Sequence, residues 1–199
     1  MDGFSDFFVS TGLVALAEIG DKTQLLAFFL SARFRRPWPI IWGILVATLV
    51  NHALAGAVGM GLAQWLGPEL MRWILGLGFI AMGAWMLIPD KLDAPSEGLA
   101  GRLGVFGTTV VAFFLAEMGD KTQVATVALA AQSASAHLVV LGTTLGMMIA
   151  NVPAVLVGER LADRLSPKWM HRIAAGLFFG IGLLVLSGFS VDFLTQSED

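Results

Sequence analysis

The recurrence of apolar stretches long enough to cross a lipid bilayer constrains this chain most: six lie near 7–32, 39–66, 70–89, 104–131, 137–162 and 169–190. A hydrocarbon core of about 30 Å takes roughly 20 helical residues. Backbone groups in lipid must bond within their own helix or around a closed barrel, and no dyad alternation marks these segments as barrel strands. The expected fold is an all-α integral membrane protein with six transmembrane helices, the second and fifth long enough to tilt. Composition agrees, with 56% hydrophobic and 14% charged residues against about 25% charged in a soluble domain. The absence of cysteine excludes disulfides and thiolate metal sites. A net charge of -3 argues against a nucleic-acid partner. The opening MDGFSDFF has acids where a cleavable signal carries basic residues, so the first segment is expected to remain in the mature protein.

Two of the apolar stretches are interrupted by nearly the same words, AEIGDKTQ from Ala17 to Gln24 and AEMGDKTQ from Ala116 to Gln123. The offset of 99 that superimposes them also pairs Gly43 with Gly142, Gly59 with Gly158, Leu62 with Leu161, Leu66 with Leu165, Pro68 with Pro167, Met71 with Met170 and Gly83 with Gly182. One register held along both halves implies an internal duplication. Each copy has three crossings, an odd number, so the second is expected to enter the membrane in the opposite sense. Two inverted three-helix repeats result, as in many secondary transporters. The predicted organisation is residues 1–89 as the first repeat, 90–102 as a cytoplasmic linker and 103–199 as the second, inverted repeat.

Basic residues set the orientation. Arg33, Arg35, Arg36, Lys91, Arg102, Arg160, Arg164, Lys168 and Arg172 fall on one side and only Arg72 on the other, so the linker PDKLDAPSEGLAGR is expected in the cytoplasm and both termini outside. Trp38, Trp42, Trp65, Trp73 and Trp169 sit near segment ends, where indoles anchor at the interface.

The motifs carry the chemistry. Counted from the starts of segments one and four, Glu18 and Glu117 lie roughly 16–20 Å deep, near the midplane, from opposite directions. Within each motif Glu and Asp are three apart and Glu and Lys four apart, so all three are expected to share one helical face. Gly20 and Gly119 permit either close packing or a local break. Each ionised group left in lipid costs roughly 2.5–3.5 kcal/mol, so Glu18, Asp21, Lys22, Glu117, Asp120 and Lys121 must face one another, water or an ion. Four carboxylates and two ammoniums sum to minus two, the charge one divalent cation neutralises. With the hydroxyl and amide oxygens of Thr23, Gln24, Thr122 and Gln123 the set is hard, suited to calcium, manganese or magnesium and not to zinc or copper(I). Asn51 and Asn151 add amide oxygens at a spacing of 100, one off the register. Protons and metal compete for the same carboxylates, which is what antiport requires. With an inward proton gradient the divalent ion would leave the cytoplasm.

The paired E-x-G-D-[KR]-[TS] motifs, each on the first helix of a three-helix repeat, resemble the calcium/manganese:cation antiporters with Golgi, chloroplast and bacterial members, and the resemblance spans essentially the whole chain. It implies a multi-pass manganese or calcium transporter with Glu18, Asp21, Glu117 and Asp120 as the cation-binding carboxylates. It further implies a bacterial member in the cytoplasmic membrane, expected to export manganese. No resident cofactor is called for: Mn2+ or Ca2+ is cargo, with protons as the exchanged species and the lipid bilayer as surroundings.

Competing readings follow from the same residues. Glu18 with Lys22 and Glu117 with Lys121 would, as local salt bridges, merely hold helices together, although each motif has two acids for one base. Asp21 and Asp120 as a carboxylate dyad would suggest an intramembrane aspartyl protease, opposed by the lysines and leaving the glutamates without a role. An exporter of another cation or an amino acid would share the architecture. Elsewhere, His52 is either a proton shuttle or a hydrogen-bonded core histidine, and His137 and His171 are interface residues. Met147 and Met148 are core packing or thioethers near the ion. Pro153 is expected to kink segment five. GLFFG, Gly176 to Gly180, is a helix-packing face that leaves open a homodimer.

Overall fold

The computed structural model describes residues 3–66, 68–85 and 97–157, with positions 176, 179–180, 182–183 and 186–187. Among these, seven helices follow one another: α1 (Gly3–Glu18), α2 (Lys22–Phe34), α3 (Pro37–Trp65), α4 (Pro68–Trp85), α5 (Glu97–Glu117), α6 (Lys121–Gln132) and α7 (Ala136–Val157). No strand occurs among the described residues. The sixth segment with its GLFFG spacing, Trp169, His171 and the basic residues between 160 and 172 lie outside the described residues, apart from the isolated positions just given.

One expectation needs correction. Segments one and four are not continuous helices: each is broken inside its motif, so Glu, Asp and Lys do not share one helical face. Gly20 has φ of 85° and Gly119 φ of 76°, left-handed values that glycine adopts without steric cost and that end an α-helix. The halves of the second broken helix, Arg102–Glu117 and Lys121–Gln132, meet at 72°. Residues 97–102, the end of the expected linker, are helical and join the rest of α5 through a non-helical Gly104 (φ 64°). Pro153 lies inside α7, and the helix continues past it to Val157.

The molecule is inside out by the standard of a soluble protein. Phe8, Leu54, Leu141, Ile149 and Leu156 are exposed, while Ser10, Thr48, Asn51, His52, Thr109, Thr126, Thr143 and Asn151 are buried. Exposed hydrocarbon over so much of the surface is stable only against another apolar phase. Pro37–Trp65 and Ala136–Leu156 are each long and apolar enough to cross a membrane, and the bent Arg102–Gln132 pair makes a third span if counted as one. At 1.5 Å per residue α3 runs about 43 Å, longer than a hydrocarbon core and so long enough to tilt or overhang. Trp38, Trp42, Trp65 and Trp73 are exposed near helix ends, where interfacial indoles belong.

The halves interleave. α1 and α2 pack on α7, whereas α5 and α6 pack on α3, so each broken helix leans on the long helix of the other half. The contacts repeat in register: a Cβ on Gly43 would lie 2.7 Å from the Thr109 side chain, and one on the equivalent Gly142 would meet Ser10, the equivalent of Thr109. Glycine at both positions lets the backbones approach as small residues do in membrane bundles. An apolar cluster of Leu26, Leu30, Ile40, Ile44 and Phe113 closes one end of this arrangement.

Candidate cation site at the two helix breaks

Each break is built the same way. Asp21 and Asp120 occupy the N-cap positions of α2 and α6, yet neither side chain caps its helix, although aspartate is among the best capping residues. Capping is done by the glutamines three residues on: Gln24 Oε1 accepts the Gly20 N–H at 2.9 Å and Gln123 Oε1 accepts the Gly119 N–H at 2.7 Å. This is the reach-back half of a capping box, moved one residue, and it leaves the aspartates for other work. Thr23 donates its hydroxyl to Glu18 Oε2 at 2.5 Å, and Thr122 donates to Glu117 Oε2 at 3.1 Å. The threonine thus aims the glutamate that ends the preceding half-helix.

The two motifs converge. Glu18, Glu117 and Asp120 are buried, and one carboxylate oxygen from each lies within 4.8 Å of the others. Asp21 stands in electrostatic range of both glutamates. Lys22 of the first motif bonds Asp120 of the second, Nζ to Oδ1 at 2.7 Å. The local pairs expected of a scaffold, Glu18 with Lys22 and Glu117 with Lys121, do not form between those partners; the ion pair crosses between halves instead. Lys121 is 2% exposed.

One regularity runs through the cluster. Each of the three carboxylates spends one oxygen on the protein: Glu18 on Thr23, Glu117 on Thr122 and Asp120 on Lys22. The second oxygens, Glu18 Oε1, Glu117 Oε1 and Asp120 Oδ2, are buried and have no hydrogen-bond partner among the described residues. A buried charge without a partner costs several kcal/mol or more, a cost that a proton, a cation or buried water would relieve. Calcium binds oxygen at 2.3–2.6 Å, so opposite ligands lie up to about 5 Å apart, and the observed spacing admits one such ion.

The supporting residues divide. Gln123 Nε2 donates to Asn51 Oδ1 at 3.5 Å, and Asn51 Nδ2 donates to the Phe114 carbonyl at 3.1 Å, placing Asn51 against the second break. In the first break Gln24 Nε2 donates to the Ala150 carbonyl at 3.0 Å. Ala150 is the register equivalent of Asn51, so the symmetry holds in position while a backbone oxygen replaces a side-chain one. The register itself points to Ala150, although its side chain offers no polar signal. Asn151 donates its Nδ2 within α7, to the Met147 carbonyl at 3.0 Å and to Met147 Sδ at 2.9 Å, while its buried Oδ1 has no hydrogen-bond partner among the described residues. The Nδ2 contact occupies the Met147 thioether, and Met148 packs on the apolar cluster. His52, the register equivalent of Asn151, is buried with neither ring nitrogen hydrogen-bonded among the described residues, contrary to the expected bonded core histidine. His137 is exposed at the start of α7.

Duplicated acidic helix breaks that meet inside an apolar helical bundle are what a cation transporter needs, and Asp120, bonded to the Lys22 ammonium, does not form the proton-sharing dyad of an intramembrane protease. The chain belongs to the GDT1 family, described as divalent cation/proton antiporters, whose sequence profile matches residues 6–94 and 105–191. Those stretches start one repeat length apart. A Vibrio cholerae protein named "Putative manganese exporter" is 50% identical over 176 residues, 88% of this chain and 87% of that protein. GDT1-like protein sll0615 of Synechocystis is 30% identical over 189 residues, 84% of this chain and 89% of its own, and GDT1-like protein 4 of Oryza sativa subsp. indica is 28% identical over 206 residues, 90% and 72%. No solved structure matches.

Proposed function

We propose that this chain exports a divalent cation from the cytoplasm, Mn2+ first and Ca2+ next, in exchange for protons. Glu18, Asp21, Glu117 and Asp120 are its cation ligands. Lys22 and Lys121 supply counter-charge; Thr23, Gln24, Thr122, Gln123 and Asn51 orient the ligands. Asn151 is fixed on α7 through its Nδ2, and its buried Oδ1, without a partner among the described residues, is the amide oxygen it could still offer. The chain crosses the membrane six times as two inverted three-helix repeats, with the termini outside and the linker in the cytoplasm.

The observation that carries this reading is the set of three buried, converging carboxylates, each with one oxygen used by the protein and one left over. Loaded with protons or with one divalent ion, the cage approaches neutrality, and either form can then reorient at low cost in lipid. The bare anionic cage cannot, and that makes exchange obligatory. The Vibrio relative's name supports manganese as the cargo. The test is metal flux in proteoliposomes under an imposed pH gradient. Manganese movement should follow the gradient's direction and calcium should compete; flux indifferent to the gradient removes the proton coupling.

A further inference from the structure

Asp6 lies in the first turn of α1 and is 5% exposed. Ser133, which closes α6, donates its hydroxyl to Asp6 Oδ2, and the Ser135 N–H donates to Ser133 Oγ at 2.9 Å. The contact ties the start of the first broken helix to the end of the second. A first-turn carboxylate already interacts favourably with the helix dipole from the surface, so its burial against a hydroxyl needs another reason.

The repeat supplies a comparison. In the 99-residue register Asp6 corresponds to Val105 and Ser133 to Phe34, both packed against the apolar cluster around Leu26, Leu30 and Phe113. One end of the paired broken helices is therefore closed by a carboxylate and a hydroxyl, the other by hydrocarbon with Arg33, Arg35 and Arg36 alongside in the sequence. The first end therefore offers a cation a carboxylate and a hydroxyl oxygen that the second lacks. The seam next to Asp6 has no slack. A Cβ on Gly142 would strike Ser10 Oγ and the Phe7 carbonyl, and one on Gly146 would lie 2.5 Å from the Thr11 carbonyl. α1 and α7 are thus packed backbone to backbone at this end, whereas α1 and α6 are tied there by the Asp6–Ser133 side-chain contact. Along α1, Asp6 is about 18 Å from Glu18, roughly the distance from midplane to the edge of the hydrocarbon.

We propose that Asp6 is a second cation-binding position, at the mouth where α1 begins. A divalent ion passing between the buried cage and water there replaces the Ser133 hydroxyl on the Asp6 carboxylate, and the same exchange parts α1 from α6. This rests on the carrier reading above. The ligand chemistry is that of the cage, a carboxylate with a hydroxyl oxygen, and suits a hard divalent ion.

The test supplies manganese to one face of reconstituted vesicles at a time, with wild type, Asp6→Asn, Asp6→Val and Glu117→Gln. Loss of one ligand contact at the mouth should raise KM about tenfold from the Asp6 face and leave KM from the opposite face within about twofold for both Asp6 variants. Asp6→Asn is near-isosteric and still bonds Ser133, so it carries the test should Asp6→Val not accumulate. An equal rise on both faces, or none, overturns the assignment of Asp6. Persistent transport by Glu117→Gln overturns the carrier reading instead.

Discussion

The Lys22 ammonium sits 2.7 Å from Asp120 Oδ1, so the base of the first motif is bonded to the acid of the second. Asp120 is also one of the three carboxylates that converge. A metal ion entering that cluster would meet an ammonium already bonded to one of its carboxylates, so on the proposed reading Lys22 is both strut and competitor. Removing one partner of a buried pair costs about 3–5 kcal/mol, so Lys22→Met should lower thermal stability by several degrees. The swapped double variant Lys22→Asp with Asp120→Lys should recover stability and not transport, because it moves a positive charge into the cage. Recovery of both in a melting and manganese-flux comparison would reduce the pair to a scaffold.

Glu18 and Glu117 each accept one threonine hydroxyl and keep one buried oxygen without a partner. Glutamine retains the carbonyl that accepts from threonine but loses the charge. Glu18→Gln and Glu117→Gln should each insert normally and lose transport by about 100-fold or more, beyond what loss of a supporting outer contact costs a metal site. Manganese flux normalised to the amount of purified protein measures this. Retained transport in both variants would take the glutamates out of the site.

The duplication and its acids were legible because a fixed offset and a dense motif survive in one dimension. The break was half legible. A glycine within an apolar run is compatible with a continuous helix, and only its positive φ in three dimensions decides; the Asp21-to-Gln24 spacing of a capping box was the missed signal that a helix starts there. The cross-pairing of Lys22 with Asp120 was hidden for a different reason. Spacing favours Glu18 as the partner at four residues' distance, and once Gly20 turns the chain that proximity is lost. Ala150 contributes through its carbonyl, which every residue type has. Asp6 drew no attention beside the motifs, although its lack of an acidic partner at Val105 marks it as a departure from the repeat.

Gly119 has φ of 76° and no atom within 4 Å of where a Cβ would be, so a substitution there tests backbone conformation apart from crowding. A β-carbon in the left-handed region costs roughly 1–2 kcal/mol, and asparagine tolerates it better than most residues. Gly119→Asn should keep most transport, while Gly119→Val should favour a straightened or displaced break, move Glu117 from Asp120 and lose activity by about tenfold or more for each 1.4 kcal/mol of misalignment. Equal flux from the two variants would show that the break geometry does not set the cage.

Orientation rests on nine basic residues against one, which predicts the side on which each connector lies. The chain has no cysteine, so single cysteines report cleanly. Ala134 is exposed between α6 and α7, and Ser96 lies in the linker. In intact cells Ala134→Cys should react with a membrane-impermeant maleimide, and Ser96→Cys should react only after permeabilisation. The two sites are separated by one broken helix, so opposite accessibility also tests whether α5 and α6 together make one crossing despite their 72° bend. Labelling of both from outside would make that pair a re-entrant loop, and each repeat would then lose the odd number of crossings on which the inversion depends.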